Sequence, residues 1–282
     1  MSTELKGAPV AAAINERSQA ELQRLIARGI TPTLAIVRAG EREDDLAYEN
    51  GAVKRCEKVG VAVRRMVLPE DASQDELQKA IAELNSERSV HGVLLLMPLP
   101  KQLDGEAARN ALSPEKDVDG ITDGSLAGVF TGSGRGFTPC TAQACIEILD
   151  HYGIDCKGKR AVVIGRSLVV GKPVSILLMA KNATVTVCHT KTVNMPSLTK
   201  SAEIIIAAAG KAKAIGAQYL SENQTVIDVG INFSEGAMCG DVDFEAARNI
   251  VSAITPVPGG VGTVTTSVLI SHVVEAANRQ NS

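Results

Sequence analysis

The stretch RAVVIGRSLVVGKP, residues 160–173, decides the fold of the second half of the chain. It starts with a short β-rich run that ends at Gly165, and a second glycine, Gly171, stands before a helical pattern. Glycines in a turn between a strand and a helix let backbone amides approach a phosphate closely, and the helix N-terminus adds a partial positive charge. The spacing is G-x5-G and not the G-x-G-x-x-G of the dinucleotide fingerprint, so an ordinary strand-to-helix turn remains the alternative.

Three more β-rich runs follow this turn, separated by helical or loop segments. They are TVTVC at 184–188, EIIIAAA at 203–209 and TVIDV at 225–229. Short strands that alternate with helices predict a doubly wound parallel sheet. Gly210 and Gly230 follow two of these runs, at the carboxyl ends of strands, where ligands of doubly wound sheets bind.

The residues after the run at 184–188 indicate which nucleotide the domain would take. An NAD-specific unit carries an acidic residue about 20 residues beyond its glycines, where it binds the ribose 2′-hydroxyl. This chain has His189-Thr190-Lys191-Thr192 there instead. Hydroxyls and a cation, with Arg166 able to reach the same place, favour a 2′-phosphate and hence NADP. The alternative is that both cations are ordinary solvated surface residues.

The first half of the chain repeats the alternation of strands and helices. Its apolar runs lie at 34–37, 61–68 and 92–97. The last of them is apolar on every side, which is typical of a strand buried on both faces of a parallel sheet. Ser73 and Glu76 form an S-x-x-E capping box that predicts a helix start, and residues 104–140, rich in Gly and Pro, predict a loop-rich connector. The predicted fold class is α/β, with two doubly wound domains.

The composition excludes several classes of function. With 29 Lys+Arg against 32 Asp+Glu and a formal net charge of -3, the 282 residues offer no basic surface for nucleic acid. Aromatic residues make up 2%, too few for a row of base-stacking platforms. The four His and six Cys lack metal-ligand spacing, no apolar run nears the ~20 residues of a membrane span, and no secretory signal is present. We therefore expect no metal, no membrane and no nucleic acid, and a cytoplasmic location with reduced thiols.

Seven strings carry a resemblance along nearly the whole chain. They are Pro98-Leu99-Pro100, Lys116-Asp117-Val118-Asp119-Gly120, Pro139-Cys140-Thr141, Gly165-Arg166-Ser167 with Val170-Gly171-Lys172-Pro173, Cys188-His189-Thr190-Lys191-Thr192, Asp228-Val229-Gly230-Ile231-Asn232 and Thr255-Pro256-Val257-Pro258-Gly259-Gly260-Val261-Gly262. In this order they resemble the bifunctional methylenetetrahydrofolate dehydrogenase/methenyltetrahydrofolate cyclohydrolase family of one-carbon metabolism. The resemblance implies a folate-binding catalytic domain of residues 1–139 and 264–282, which includes the C-terminal helix, and a Rossmann-type NADP-binding domain of residues 140–263. It also implies a homodimer, and hydride transfer from the folate's methylene bridge to the nicotinamide in a cleft between the domains.

The family's site residues carry over onto matching positions. Tyr48 matches the tyrosine that lies against the folate, and Asp119 matches the aspartate that hydrogen-bonds the pterin ring; both are implied to be catalytic and folate-binding. A carboxylate suits the pterin because its two oxygens accept from adjacent N–H donors. Further folate-binding residues implied are Pro258, Gly259 and Gly260. The implied cofactor-binding residues are Gly165, Arg166, Ser167, Val170, Gly171, Pro173, His189, Thr190, Gly210, Gly230 and Ile231.

The chain departs from the family pattern where the hydrolytic chemistry is assigned. Ala52 stands where the family has a lysine four residues after the tyrosine, and Leu96 stands where it has a glutamine two residues before Pro-Leu-Pro. Of that Lys-Gln-Asp cluster, Asp119 alone remains. The family's serine three residues before the tyrosine is Asp45, and its Gly-Pro-Met-Thr is Gly262-Thr263-Val264-Thr265.

These departures lead to a main hypothesis with alternatives. The main hypothesis is an NADP-dependent methylenetetrahydrofolate dehydrogenase whose cyclohydrolase activity is weak or lost. The first alternative is a fully bifunctional enzyme in which another residue, Glu49 or Asp45, positions the attacking water. A second is a catalytically silent folate-binding subunit, and a third is a shifted substrate such as a methanopterin derivative.

Overall fold

The computed structural model describes residues 2–234 and 236–282, and the chain forms two compact units. The first unit comprises Ala13–Cys140 together with Thr266–Ser282. The second unit comprises Thr141–Thr265 together with the residues up to Ala12. The predicted α/β class with parallel sheets is confirmed in both units.

The strands and helices alternate through most of the chain. The strands are β1 (Thr3–Glu4), β2 (Thr33–Ala39), β3 (Ala62–Leu68), β4 (Gly92–Leu95), β5 (Arg160–Ile164), β6 (Thr184–Cys188), β7 (Ile204–Ala207), β8 (Thr225–Asp228), β9 (Asn232–Ser234), β10 (Ala237–Cys239) and β11 (Ala253–Ile254). The helices are α1 (Gly7–Ala27), α2 (Glu43–Val59), α3 (Gln74–Ser86), α4 (Gly105–Ala111), α5 (Asp123–Thr131), α6 (Cys140–His151), α7 (Gly171–Ala180), α8 (Met195–Lys200), α9 (Phe244–Ala247) and α10 (Val261–Gln280), and Ala217–Tyr219 form a 3-10 turn.

The first unit is built on a parallel sheet of order β3-β2-β4. The central strand β2 is buried from Leu34 to Ala39, and β4 is buried throughout, because side chains cover both faces. Leu77, Ile81 and Leu84 of α3 pack on this sheet in one hydrophobic cluster. The predicted start of α3 is confirmed: Ser73 Oγ accepts from the Glu76 amide, and the Glu76 carboxylate accepts from the Ser73 amide.

The glycine-rich segment 104–140 contains two short helices, α4 and α5, so the expectation of a plain loop connector was too simple. Both start at side chains that accept from helix amides: Asp104 caps α4, and Thr122 caps α5. Such caps offset the unpaired amides of a helix start. The many glycines had hidden these short helices from the sequence pattern.

The second unit is built on a six-stranded sheet of order β1-β11-β8-β7-β5-β6, in which every neighbouring pair is parallel. From β5 onward the chain goes out to the edge strand β6 and then returns to the other side of β5 at β7. The switch point of this doubly wound sheet therefore lies between β5 and β7, at their carboxyl ends, which is where such sheets bind ligands. An antiparallel hairpin of β9 and β10 lies outside the main sheet.

The first residues of the chain belong to the second unit, whereas the sequence had placed them with residues 13–139. The cause is the short strand β1, which pairs in parallel with β11. Its backbone bonds run from the Thr3 amide to the Ser252 carbonyl and from the Leu5 amide to the Ile254 carbonyl. A two-residue strand leaves no period for a sequence pattern to reveal. No helix in the described part of the chain is long and apolar enough to cross a bilayer.

Candidate active site

The turn between β5 and α7 is shaped by close backbone packing. A Cβ on Gly165, whose φ is 124°, would lie 2.0 Å from the Ala208 carbonyl oxygen. A Cβ on Gly171 would lie 2.3 Å from the Gly165 carbonyl oxygen. Both glycines are therefore required to fold the strand end back against the start of the helix.

This turn presents free backbone donors to solvent. Ser167 Oγ accepts from the Val170 amide at 3.2 Å, and the Ser167 carbonyl accepts from the Lys172 amide at 3.0 Å. Among the described residues, the amides of residues 166–169 have no acceptor, and these residues are exposed. Exposed amides at the start of a helix are suited to bind a phosphate, so the turn fits the pyrophosphate of a dinucleotide. Val170 is the residue before α7, and Pro173 is buried in its first turn.

Arg166 and Lys191 follow neighbouring strands whose ends are in register. Ile164 of β5 pairs with Cys188 of β6, so both cations come at the same edge of the sheet. Both are exposed, and neither forms an ion pair with a described residue. Between them, the His189 amide donates to Thr192 Oγ1 at 2.9 Å, and the Lys191 amide donates to His189 Nδ1 at 3.1 Å. The described residues that directly follow β5 and β6, 165–167 and 189–192, include two cations without an ion-pair partner and no Asp or Glu, as a 2′-phosphate would require.

Asp241 holds one of the two other predicted nucleotide loops, although no sequence motif points to it. Its carboxylate accepts from the Gly210 amide at 2.8 Å and the Lys211 amide at 2.9 Å. Asp228 ties the other loop, since it accepts from the Gly230 amide at 3.0 Å and from the Asp241 amide at 3.0 Å. Asp241 lies beyond the strand pattern, so no spacing rule could have found it.

The loop after β8 and the segment before α10 border one pocket. This cavity of about 250 Å³ is lined by residues 228–231, Met238 and residues 256–263. The structure therefore brings Gly230 and Ile231, predicted for the cofactor, together with Pro258, Gly259 and Gly260, predicted for the folate. All of these residues belong to the second unit.

In the first unit, Tyr48 of α2 lies near Asp119. The residue is 41% exposed, so its ring has a free surface. Burial of the hydroxyl end raises the Tyr48 pKa well above its usual value, and the nearby charges of Asp119 and Cys140 add to the rise. The hydroxyl therefore stays protonated, and Asp119, the other residue that sequence analysis assigned to the pterin, lies close enough to influence it electrostatically.

Asp119 is an unusually basic carboxylate. Burial raises its pKa to about 7, and repulsion from Asp117 adds to the rise, while a hydrogen bond from the Cys140 thiol opposes it. Cys140 Sγ also lies 3.2 Å from the Val118 carbonyl oxygen, which is 2.9 Å from His272 Nδ1. Burial lowers the His272 pKa, so the neutral ring donates from Nδ1 to this carbonyl. Cys140 belongs to one of the seven matching strings, whereas no sequence pattern points to His272.

The positions that depart from the family are both buried and apolar. Ala52 is 2% exposed and lies one helical turn after Tyr48. Leu96 is 6% exposed and directly follows β4. The structure offers no amine or amide at either position.

The start of α2 lies beside the Pro-Leu-Pro segment. Arg42 Nη1 donates to the Pro98 carbonyl oxygen at 2.8 Å. An open pocket of about 750 Å³ is lined there by residues 39–42, Glu70 and residues 98–102. The described residues contain no group of three or more His, Cys, Asp or Glu side chains that could hold a metal ion.

Two carboxylates lie on the buried face of α2. Glu49 accepts from Arg38 Nε at 2.7 Å and from Arg65 Nε at 2.7 Å. Asp45 is 7% exposed, and it has no hydrogen-bond or ion-pair partner among the described residues. One carboxylate on this face is therefore neutralised, and the other is available.

Comparison with known proteins covers both units. Residues 5–119 match the catalytic domain of tetrahydrofolate dehydrogenase/cyclohydrolase, and residues 139–281 match its NAD(P)-binding domain. The bifunctional protein FolD of Carboxydothermus hydrogenoformans is 49% identical over 284 residues, covering 100% of this chain and 99% of that protein.

Solved structures agree with this assignment. The bifunctional enzyme FolD of Campylobacter jejuni superposes with a TM-score of 0.96 at 37% identity, covering 99% of each chain. The Trypanosoma brucei FolD, solved with NADP cofactor and inhibitor, has a TM-score of 0.92 at 32% identity and covers 99% of this chain and 98% of that one. With matches over both units at these identities, the chain belongs to the tetrahydrofolate dehydrogenase/cyclohydrolase family.

Proposed function

We propose that the chain oxidises 5,10-methylenetetrahydrofolate with NADP and hydrolyses the resulting 5,10-methenyl compound to 10-formyltetrahydrofolate. The relatives that cover its whole length bear the name bifunctional protein FolD. Their names favour the bifunctional alternative over the main hypothesis from the sequence, in which hydrolysis was weak or lost. The dehydrogenase step is common to both.

The observation that carries the folate assignment is the closeness of Tyr48 and Asp119. Asp119 offers two acceptor oxygens for the adjacent amino and ring N–H groups of a pterin. The exposed ring of Tyr48 gives the flat pterin a surface for stacking, in a chain with only 2% aromatic residues. Pro258, Gly259 and Gly260 remain proposed folate contacts from the second unit.

The nucleotide assignment rests on the turn between β5 and α7. The free amides of residues 166–169 suit the pyrophosphate, and the unpaired cations Arg166 and Lys191 suit the 2′-phosphate of NADP. The other proposed cofactor contacts are those carried over from the resemblance, including His189, Thr190 and Gly210. NADP, when bound, supplies the hydride acceptor.

The chain's own part in the oxidation is to position the folate. The folate's nitrogen lone pairs drive the loss of hydride from the methylene carbon, so no acid or base on the protein is needed for this step. What is needed is a donor carbon held about 3–3.5 Å from the acceptor. Asp119 hydrogen-bonds the edge of the pterin, and Tyr48 stacks on its face. Together these contacts set the position of the methylene bridge.

A second candidate function is favoured by one specific observation. Ala52 and Leu96 are buried apolar residues where the family carries its lysine and glutamine. A positioned acid or base contributes about 10²–10⁴-fold to such a hydrolysis, and neither side chain can act as one. On this reading the chain is a dehydrogenase that releases the methenyl compound.

One assay separates the two candidates. Purified protein is mixed with 5,10-methylenetetrahydrofolate and NADP, and the absorbance of NADPH and of the methenyl chromophore are followed together. The bifunctional proposal expects NADPH to form while the methenyl signal stays low; a methenyl signal that decays only at the solvent rate supports the second candidate. A chain that forms no NADPH would be the silent subunit, and the same assay with NAD and with methanopterin derivatives measures cofactor and substrate preference.

The assembly and location also stay proposals. We propose a homodimer in the cytoplasm, as the family resemblance implies. Light scattering on the purified full chain should give about twice the 29.5 kDa of one chain, and a monomer at micromolar concentration would contradict the dimer.

A further inference from the structure

The buried face of helix α2 contains a carboxylate whose partner is missing. The residues on this face are Asp45, Glu49, Ala52, Val53, Cys56 and Val59. The charge of Glu49 is compensated by two arginines, at 2.7 Å each. Asp45, 7% exposed, has no such partner in the described residues. The Asp45 carboxylate oxygens are not among the fully buried side-chain atoms that lack a partner, so they remain open to water or to a bound ligand.

Asp45 lies on the same line of the helix as Ala52. Seven residues correspond to about two turns, so the two positions differ by only about 20° around the axis and lie about 10.5 Å apart along it. Along the helix axis Tyr48 lies between Asp45 and Ala52. Around the axis it lies about 60° from Asp45 and about 40° from Ala52. Helical side chains point toward the N-terminus, so an amine at position 52 would extend over Tyr48 toward the turn that holds Asp45.

This turn also lies beside the segment that carries Leu96. The bond from Arg42 Nη1 to the Pro98 carbonyl oxygen joins the start of α2 to the residues directly after Leu96. Tyr48, one turn farther along α2, lies near Asp119. Asp45 therefore lies on α2 between Arg42, which bonds the Pro-Leu-Pro segment, and Tyr48, whose hydroxyl is influenced by Asp119.

We propose that Asp45 is the general base of the hydrolytic step, acting in place of the amine that Ala52 lacks. This inference rests on the proposed bifunctional activity. It assigns to an aspartate of this chain a task that the family gives to a different residue at a different position.

The proton and electron pairs balance in such a step. Asp45 takes a proton from a water molecule as the water oxygen bonds to the methenyl carbon, and the amidinium of the folate becomes a neutral carbinolamine. The protonated Asp45 then gives its proton to N5 as the bond between N5 and the carbon breaks. The carbinol oxygen forms the formyl C=O and releases its proton to water. In sum, methenyl cation and water give 10-formyltetrahydrofolate and one proton.

Other carboxylates near the site are already engaged. Glu49 cannot accept a proton without leaving Arg38, 11% exposed at its side chain, as a buried unpaired charge. Asp119 is needed to hold the pterin. Asp45 is the carboxylate on this face that bonds no described residue, so it is free to bond a water molecule.

The test compares Asp45→Asn with the matched control Asp44→Asn. Both residues lie in the first turn of α2, where a carboxylate interacts favourably with the helix dipole, but Asp44 is 93% exposed at its side chain. We expect Asp45→Asn to slow enzyme-dependent decay of the methenyl chromophore by about 100-fold or more, with a much smaller loss of NADPH formation. Asp44→Asn should keep both rates, and Asp45→Glu should recover part of the decay.

Chemical rescue distinguishes a base from a structural residue. Added formate should accelerate methenyl decay in Asp45→Ala and leave Asp44→Ala unchanged. Wild-type decay rates in Asp45→Asn, or no rescue of Asp45→Ala by formate, would overturn the assignment while the bifunctional proposal stands. If the wild-type protein does not accelerate decay at all, both fail, and this outcome is recognised before any variant is made.

Discussion

The starts of helices α7 and α2 carry the two halves of the proposed chemistry, and they are built in opposite ways. At α7 the binding groups are backbone amides, released by a turn that two glycines allow to fold tightly. At α2 the groups are side chains on one helix face, and the charge of that face is set by single residues. A backbone site survives most substitutions, whereas a side-chain site changes its chemistry with one. In this chain the turn before α7 matches the family pattern, whereas on the face of α2 Ala52 and Asp45 stand where the family has a lysine and a serine.

The first way to test this comparison is to remove a charge that holds α2 in place. In Glu49→Ala, Arg38 keeps its bond to the Gly40 carbonyl but loses its carboxylate partner, and we expect a loss of about 3–5 kcal/mol in unfolding free energy. Urea denaturation followed by circular dichroism measures it. The control is Asp150→Ala in the second unit, which removes an exposed pair with Lys181 and should cost less than about 1 kcal/mol. Equal losses in the two variants would show that burial does not set the value of the α2 pair.

The second way is to disturb the backbone site. In Gly171→Ala the new methyl group would meet the Gly165 carbonyl oxygen at 2.3 Å, so the turn must open. We expect the kcat/KM for NADP to fall by about 100-fold, which corresponds to about 2.7 kcal/mol. Initial rates of NADPH formation at varied NADP measure this. An unchanged KM for NADP would mean that the turn does not contact the nucleotide.

The strands that could be predicted from the sequence are those with a local pattern. Strands β5 and β6 were predicted to the residue, because short apolar runs between helical patterns are local signals. The pairing of β1 with β11 was not foreseen, since it joins residues about 250 positions apart through two bonds and leaves no local pattern. Long-range contacts of this kind are the part of a fold that periodicity does not contain.

The residues of the candidate site also differ in whether a sequence pattern could predict them. Tyr48 and Asp119 were predicted from the family resemblance, and in the structure Asp119 lies close enough to Tyr48 to raise the pKa of its hydroxyl. Asp241, which accepts from the Gly210 and Lys211 amides, and His272, which bonds the Val118 carbonyl, were missed because they lie in segments without a motif. The sequence named Asp45 and Glu49 as equal candidates to position water, and only the contacts of Glu49 with two arginines separate them.

A third test concerns the ionisation of Asp119. Its pKa, raised to about 7 mainly by burial, means that the carboxyl is mostly protonated at pH 6 and mostly ionised at pH 8. The ionised form has the two acceptors that a pterin needs, so kcat/KM for 5,10-methylenetetrahydrofolate should rise by about tenfold over this range. In Asp119→Asn the activity should be low and this rise should be absent. A rise of the same size in the variant would assign the titration to another group.

The smallest expected effect comes from replacing a glycine of α2 by alanine, the same change that disrupts the turn before α7. Gly51 lies in the middle of α2 and is exposed, and a Cβ there would meet no atom within 4 Å. Alanine should therefore stabilise the helix by up to about 1 kcal/mol, because it lowers the entropy lost on folding without a clash. The mirror control is Ala47→Gly, exposed on the same helix, which should lose a similar amount in urea denaturation. The glycine of α2 would then be dispensable, whereas Gly171 of α7 is not. This difference is expected if backbone groups bind the nucleotide and side chains bind the folate. A destabilising Gly51→Ala would show that the backbone of α2 is constrained as well.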